Sequence, residues 1–220
     1  MNGPRALAEF FLFDGAIVPL DRILSIIDDG YPGHCLYADW GEEAKRVSPW
    51  LMESSPPVEE LVMETRSSRP YAHGVSRLTA SASVDTVVSH LRQLQAMFAE
   101  RKRYYLRYAD GRAFSDLFDI LTQEQRRALL GPIEIWEAGS TGGPNRYIVS
   151  HDVRSHVEPA PLSLRLSPRQ FGELLRAQRD TQRWSMWLKT QMQLCDGYSL
   201  AELRELSHMT GEWLLAQGVL

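Results

Sequence analysis

The chain has 220 residues, of which 44% are hydrophobic and 24% charged, and its formal net charge is −4. A chain of this length can bury a substantial core, and its aromatic share of 10% excludes intrinsic disorder. The negative charge argues against a general nucleic-acid-binding protein. Residues 1–64 carry 12 acidic and 4 basic side chains, whereas residues 65–220 carry 16 acidic and 20 basic ones. This asymmetry is compatible with a face that meets a charged partner and equally with solvated faces.

No targeting segment or membrane span is predicted. Glu9 and Asp14 interrupt the early apolar stretch, and no run of about 18 apolar residues occurs in the sequence. Cys35 and Cys195 lie far apart and form neither a CxxC motif nor a disulfide pattern. We therefore expect a cytoplasmic protein with reduced thiols and no membrane partner.

Strands and helices are predicted to alternate through the first part of the chain. An apolar strand at residues 10–13 precedes a helix that Pro19 opens and Gly30 ends. Further strands are predicted at residues 34–38, 49–52, 75–80, 104–108, 133–136 and 147–149. Further helices are predicted after Pro57, after the N-cap Ser83, at residues 114–121 and after the Thr122–Gln125 capping box. This alternation predicts an α/β fold in which helices flank a mixed sheet.

The helix after Ser83 is expected to carry one apolar stripe from Val84 to Phe98, with Leu91 in the core. Leu106 is expected on a neighbouring strand. Together they predict that the first lobe is ordered by its own core.

The pattern changes after residue 157. A proline-containing connector at residues 158–161 leads into a segment that is predicted to be wholly helical. Ser167, Pro168 and Gln170 supply the N-cap, first-turn proline and capping-box glutamine of a helix over residues 167–194. A second helix is predicted over residues 199–217. The sequence therefore predicts an α/β lobe at residues 1–157, followed by a C-terminal helical lobe at residues 158–220.

Two segments contain residue types that occur in ligand sites. His151, Asp152, His156 and Glu158 have metal-ligating side chains, but the five-residue spacing of the histidines keeps them from converging, so surface residues are the favoured interpretation. The glycine-rich loop at residues 139–145 lacks the Gly-Lys-Ser/Thr of a phosphate loop and is favoured as a hairpin connection. We expect no cofactor and no metal.

An arginine row is predicted on the first C-terminal helix. Arg169, Arg176 and Arg183 fall within about 40° of one another, Trp187 lies at the angle of Arg169, and Arg179 flanks the row. Arginine with tryptophan is typical of binding hot spots, so these five residues form the predicted partner-binding surface. The alternative is a solvated face with Trp187 packed on the last helix. Three apolar residues are expected on the opposite, core-facing side: Phe171, Leu174 and Leu175.

Charged residues follow two predicted strands: Asp14, and then Arg107, Asp110 and Arg112. Strand ends are where α/β folds place active residues, but also where they place turn residues. The favoured interpretation is structural, as a charge pair or a backbone-bonding turn. One alternative is an enzyme that uses Asp14, Asp110 and Arg107 on a small anionic substrate; another is a nucleic-acid-binding module that uses the arginine helix.

Five segments in order resemble one family: residues 10–16 (FFLFDGA), 47–51 (VSPWL), 89–92 (SHLR), 105–112 (YLRYADGR) and 130–136 (LGPIEIW). They resemble the type VI secretion effector chaperones or adaptors (domain of unknown function 4123; Tap or Tec adaptors), and the resemblance covers roughly residues 7 to 138. Gly111 departs from the family, which commonly has proline there. We expect this glycine to leave the turn less rigid.

The resemblance implies a cytoplasmic adaptor that is not an enzyme. Members of that family bind a cognate effector and help to load it onto the secretion spike, which consists of the VgrG trimer or its PAAR cap. It implies no nucleic-acid partner. It also implies that the C-terminal lobe, which lies outside the resembling region, carries the partner-specific surface.

Overall fold

An uninterrupted apolar run forms the centre of the fold. Strand β1 spans Ala8–Asp14, and residues 10–13 within it are all buried. Because successive side chains of a strand point to opposite faces, this run requires cover on both faces of its sheet. The computed structural model describes residues 7–68, 70–140, 144–148 and 164–191, with side chains to residue 179.

Six of the described strands form one antiparallel sheet in the order β2-β3-β1-β4-β7-β8. Its strands besides β1 are Gly33–Cys35 (β2), Pro49–Glu53 (β3), Val75–Ala80 (β4), Ile135–Ala138 (β7) and Asn145–Ile148 (β8). Since neighbours run in opposite directions, the end of β1 meets the starts of β3 and β4 and the end of β7 at one edge of the sheet.

A smaller sheet has the order β6-β5-β9 and consists of Ala96–Ala99 (β5), Lys102–Tyr105 (β6) and Leu164–Arg165 (β9). Strands β5 and β6 are antiparallel, whereas β5 and β9 are parallel. The two-residue turn between β5 and β6 has positive φ at Glu100 (49°) and Arg101 (66°), as the twist of a tight hairpin requires.

The helices are Leu20–Asp28 (α1), Glu42–Lys45 (α2), Pro56–Ser67 (α3), Val84–Gln93 (α4), Gly111–Ile120 (α5), Gln123–Leu130 (α6) and Pro168–Gln191 (α7). Short 3-10 turns occupy Ala38–Trp40 and Ala72–Gly74. The chain divides into two compact units, residues 1–170 and 171–220.

Helices cover the large sheet on both faces. On one face, Phe11 and Phe13 of β1 belong to a core cluster that includes Ile23 of α1 and Leu61 of α3. On the other face, α5 packs on β7, where the Phe114 ring stacks on Trp136 with 4.2 Å between ring centroids. Tyr147 of β8 adds an edge contact to Phe114 at 5.2 Å. These two cores account for the apolar run at residues 10–13 of β1.

The predicted α/β fold class is confirmed. Local sequence signals also predicted the positions of several elements. In the structure Ser83 caps α4, Thr122 and Gln125 form the capping box of α6, and β7 and β8 pair as a hairpin. Among the described strands, parallel pairing occurs only between β5 and β9.

The helix predicted to run to Phe98 is shorter than expected. Helix α4 ends at Gln93, and Phe98 belongs to β5, where it faces Arg103 and Arg165 across two neighbouring strands. The spacing from Leu91 to Phe98 fits a helix, but residues 96–99 gain backbone hydrogen bonds from both β6 and β9 in the strand conformation.

The segment predicted to be wholly helical begins with a strand. Leu164 pairs with Met97, and the Leu166 N–H donates to the Phe98 carbonyl at 2.9 Å. Leu164 and Leu166 are buried while Arg165 is exposed, which is strand alternation. The Ser167–Gln170 capping box is present, with reciprocal bonds of 3.0 and 3.2 Å. The helix predicted over residues 199–217 and the connector lie outside the described residues.

Replacing Leu91 with Ala should lower the free energy of unfolding by about 2–5 kcal/mol, because Leu91 is fully buried and the change leaves a cavity under α4. Urea unfolding measures the loss. Met63→Ala is the control, since Met63 is 65% exposed on α3 and its truncation should shift stability by less than about 0.5 kcal/mol. Equal effects of the two substitutions would contradict the assignment of Leu91 to the core.

Candidate functional site

Residues from distant parts of the chain meet at one edge of the large sheet. Asp14 is the last residue of β1, and Asp110 is the N-cap of α5, where its Oδ1 accepts a hydrogen bond from the Arg112 N–H at 3.1 Å. Arg107 lies between β6 and α5 in sequence. We call Asp14, Arg107, Asp110 and Arg112 the strand-end charge cluster.

Two arginines bind the two buried carboxylates of this cluster. Arg107 Nη2 lies 2.9 Å from Asp14 Oδ2 and 3.6 Å from Asp110 Oδ2. Arg112 binds Asp110 with both its Nη2, at 2.9 Å, and its Nε, at 3.0 Å. The two carboxylate side chains are only 5% exposed, whereas that of Arg107 is 44% exposed. The structure thus brings all four residues predicted at strand ends into one charge-balanced group.

Backbone bonds fix the first member of the cluster. Asp14 Oδ1 accepts a hydrogen bond from the Ala16 N–H at 2.9 Å, and the Gly15 N–H donates to the Ser48 carbonyl at 3.1 Å. A β-carbon on Gly15 would lie 2.5 Å from that carbonyl oxygen, closer than real β-carbons approach. The turn after β1 is therefore joined to the start of β3 through a contact that only glycine allows.

Gly111 has a different role from the one expected. It is the first residue of α5, a position where proline is common. A β-carbon there would lie 2.0 Å from the Gly139 carbonyl oxygen, and one on Gly139 would lie 2.3 Å from the Val75 carbonyl oxygen. Instead of loosening the turn, Gly111 permits close backbone contact between α5 and the end of β7.

The two carboxylates differ in their pKa. Burial raises the pKa of Asp14 and outweighs the opposing effect of Arg107. Burial acts in the same direction on Asp110, but the hydrogen bonds and charge of Arg112, with the charge of Arg107, outweigh it and lower the pKa of Asp110. His73, beside the cluster, has its pKa lowered to about 4 by burial and then by Arg112. The strongest charge interactions therefore lie at the start of α5.

This geometry suits a structural role. The cluster ties the end of β1 to the start of α5, and both carboxylates are occupied by arginine and backbone donors. That is the charge pair and backbone-bonding turn expected for the structural interpretation. Neither carboxylate is exposed for contact with a substrate.

An aromatic group beside the cluster was not predicted. Trp40 stacks on Tyr37 with 5.3 Å between ring centroids, and Tyr105 meets both rings edge-on at 5.7 and 6.1 Å. Tyr37 is buried, but Trp40 is 47% and Tyr105 46% exposed. We call these three residues the aromatic edge cluster. The sequence feature that could have indicated this cluster is Trp40, a large aromatic residue within the polar segment Asp39–Glu42. Its partner Tyr105, however, is distant in sequence.

The predicted arginine row is described in part. Arg169, Arg176 and Arg179 are exposed on α7. Arg176 Nε and Arg179 Nε each donate, at 3.3 Å, to a carbonyl four residues earlier in the helix. Arg183 and Trp187 belong to α7, but their side chains lie outside the described part.

The apolar side that was predicted for α7 is buried at two of its three positions. Phe171 and Leu174 are buried, whereas Leu175 is 44% exposed, contrary to the prediction. Leu175 is four residues before Arg179 and therefore lies on the arginine side of the helix.

The two predicted ligand segments lie wholly or partly outside the described residues. His151, Asp152, His156 and Glu158 lie outside the described residues, and in the described part no group of His, Cys, Asp and Glu side chains could hold a metal ion. The described helices include none that is both long and apolar enough to cross a membrane.

The two cluster carboxylates should differ in their tolerance of neutral substitution. Asp14→Asn should cost about 1 kcal/mol or less, because burial disfavours the charged form of Asp14 and an Asn oxygen can still accept the hydrogen bond from the Ala16 N–H. Asp110→Ala should cost about 2 kcal/mol or more, because it removes a helix cap and the partner of Arg112. Urea unfolding at pH 7 compares them, and a larger loss for Asp14→Asn would contradict the assignment.

Stability should fall as the pH is lowered from about 6.5 towards 4. Burial lowers the pKa values of His73 and His90 in the folded protein, whereas unfolded histidines titrate near 6.5. In this window the unfolded chain binds protons that the folded protein does not, so acidification favours unfolding. The raised pKa of Asp14 opposes this trend as the pH approaches 4. Urea midpoints at pH 7 and 4.5 should converge partly in His73→Asn, and an unchanged difference would contradict the prediction.

Comparison with protein families gives one match. Residues 10–128 match the family described as Domain of unknown function (DUF4123). Searches of curated proteins and of solved structures gave no significant match. The family match spans more than half of the chain, including the whole strand-end charge cluster. The chain therefore belongs to the DUF4123 family.

Proposed function

We propose that the protein is a cytoplasmic adaptor that binds a type VI secretion effector and helps to load it onto the VgrG or PAAR spike. The observation that carries the proposal is the ordered set of five segments, at residues 10–16, 47–51, 89–92, 105–112 and 130–136, which resemble effector adaptors. Four of them lie within the DUF4123 match and the fifth begins just after it.

The places of these segments in the fold support a binding role. Residues 10–16 contain most of β1, residues 47–51 begin β3, and residues 105–112 hold Arg107 and Asp110. Residues 130–136 lead into β7, whose Trp136 is fully buried. The resembling segments thus build mainly the framework, and exposed side chains, including Tyr105 at the start of one segment, are left to recognise a partner.

Two exposed surfaces offer side chains of the kinds that dominate protein interfaces. The aromatic edge cluster presents Trp40 and Tyr105, and α7 presents Arg169, Arg176 and Arg179. An adaptor needs contacts of this kind rather than a reacting centre. A role without catalysis also fits the charge cluster, because arginine and backbone donors already bind the carboxylates of Asp14 and Asp110.

Affinity purification from the native bacterium tests the proposal. Tagged protein, produced at its natural level while the secretion cluster is expressed, should retain a secretion effector or a VgrG or PAAR component in near-stoichiometric amount. Quantitative mass spectrometry against a tag-only strain measures the enrichment. Retention of neither kind of protein would overturn the proposal.

Charge reversal on α7 should weaken that binding. In Arg176→Glu/Arg183→Glu, capture of the partner should fall at least about tenfold while Tm changes by less than about 2 °C, because surface substitutions have small effects on stability. Arg46→Glu/Arg127→Glu is the matched control, since both arginines are exposed, the first just after α2 and the second on α6. Normal capture by the α7 variant would show that the row is only solvated, and unfolding would show that it is structural.

A further inference from the structure

The outer edge of β6 carries unused backbone hydrogen-bonding groups. In the hairpin, Ala96 faces Tyr105 and Phe98 faces Arg103. The Leu106 N–H donates to the Gln95 carbonyl, so the hydrogen-bonded pairs are 95/106, 97/104 and 99/102. The N–H and C=O of Arg103 and Tyr105 therefore point away from β5. No other described strand pairs with this edge.

The side chains along this edge have a definite pattern. Met97, Ala99 and Leu164 are buried on one face of the small sheet, which places Arg103 and Tyr105 on the opposite, exposed face. Among the described residues Arg103 has no ion pair. The Tyr105 ring contacts the Trp40 ring, with 6.1 Å between ring centroids. The exposed face of this edge thus carries a basic side chain at Arg103 and an aromatic side chain two residues later, at Tyr105.

We propose that an extended acidic segment of a partner protein adds to the small sheet along β6. Its backbone pairs with Arg103 and Tyr105, an Asp or Glu lies opposite Arg103, and an apolar or aromatic residue two positions away lies opposite Tyr105 and against Trp40. Cross-strand neighbours on one face of a sheet lie close enough to select such a pair. Strand addition of this kind draws affinity from the backbone and specificity from alternate side chains.

Charge complementarity decides the occupant. Arg101, Lys102 and Arg103 are consecutive and exposed, and Glu100 is the only acidic residue in the hairpin. Lysine and arginine on an edge also prevent a second copy of the same strand from pairing, because like charges would face each other. An acidic strand is attracted by the same side chains. The inference rests on the proposed function for the source of the segment, an effector or spike protein.

Selection from a phage-displayed library of random dodecapeptides on the full-length protein tests the inference. Selected peptides should contain an acidic residue two positions from an apolar or aromatic one. Fluorescence polarisation with a labelled selected peptide should then show binding weakened at least about tenfold by Arg103→Glu. Replacing the acidic residue of the peptide with Lys should restore binding to Arg103→Glu.

Arg165→Glu is the matched control. Arg165 is exposed on the same face, but two strands from the docking edge and about 10 Å from β6, so binding should change less than about twofold. N-methylation of the peptide should abolish binding at residues whose N–H faces β6, and be tolerated at the alternate residues. Circular dichroism and Tm check that each variant is folded.

Three outcomes overturn the inference: selected peptides without acidic residues, equal binding by wild type and Arg103→Glu, or equal losses in Arg103→Glu and Arg165→Glu. Displacement of the peptide by the oligonucleotide dT12, itself weakened by Arg103→Glu, would assign the edge to single-stranded nucleic acid and also overturn it. Peptide binding without effector capture in cells would overturn only the proposed function. Effector capture without peptide binding would overturn only this inference.

Discussion

The Arg107 guanidinium holds together two parts of the chain that local structure alone could not join. It bridges Asp14 and Asp110, which are buried and would repel each other without it. Removing the Arg107 charge would leave the Asp14 carboxylate, which is only 5% exposed, without its ion-pair partner, and an unpaired buried charge is unfavourable. Because Tyr105 is two residues before Arg107, the same bridge also restrains the chain just after β6. The charge cluster and the aromatic edge cluster are therefore neighbours on one segment.

Around this bridge, backbone packs directly on backbone. β-Carbons at Gly15, Gly111 and Gly139 would each lie within 2.5 Å of a carbonyl oxygen of another segment. A side chain could move away from such a contact, but a carbonyl held in a sheet or a helix end cannot. The junction of β1, β3, β4, β7 and α5 is thus closed by three residues without side chains. The close approach at Gly111 explains why this position holds glycine, although the first residue of a helix readily accepts proline.

Local chemistry made much of the fold predictable. Because caps such as Ser83 and the Thr122–Gln125 box act within one helical turn, the first residues of these helices could be predicted from their neighbours in sequence. Strand β9 and the end of α4 were missed because their hydrogen bonds come from segments far away in sequence. The members of the charge cluster were identifiable as strand-end residues, but their contacts join positions 93 residues apart. Tyr37, Trp40 and Tyr105 carried no common pattern, since only folding brings them together.

The β5–β6 hairpin is held at both ends, which matters for any segment that binds along it. Its turn places Glu100 and Arg101 at positive φ, a conformation that costs about 1 kcal/mol or more for residues other than glycine. At the other end, Arg107 is tied to Asp14, and the Leu106 N–H is bonded to Gln95. Strand β5 also pairs with β9 on the side away from β6, and these backbone contacts help to hold the hairpin with the strained turn in place. An edge fixed in this way needs little ordering when a partner strand arrives, so more of the contact energy contributes to affinity.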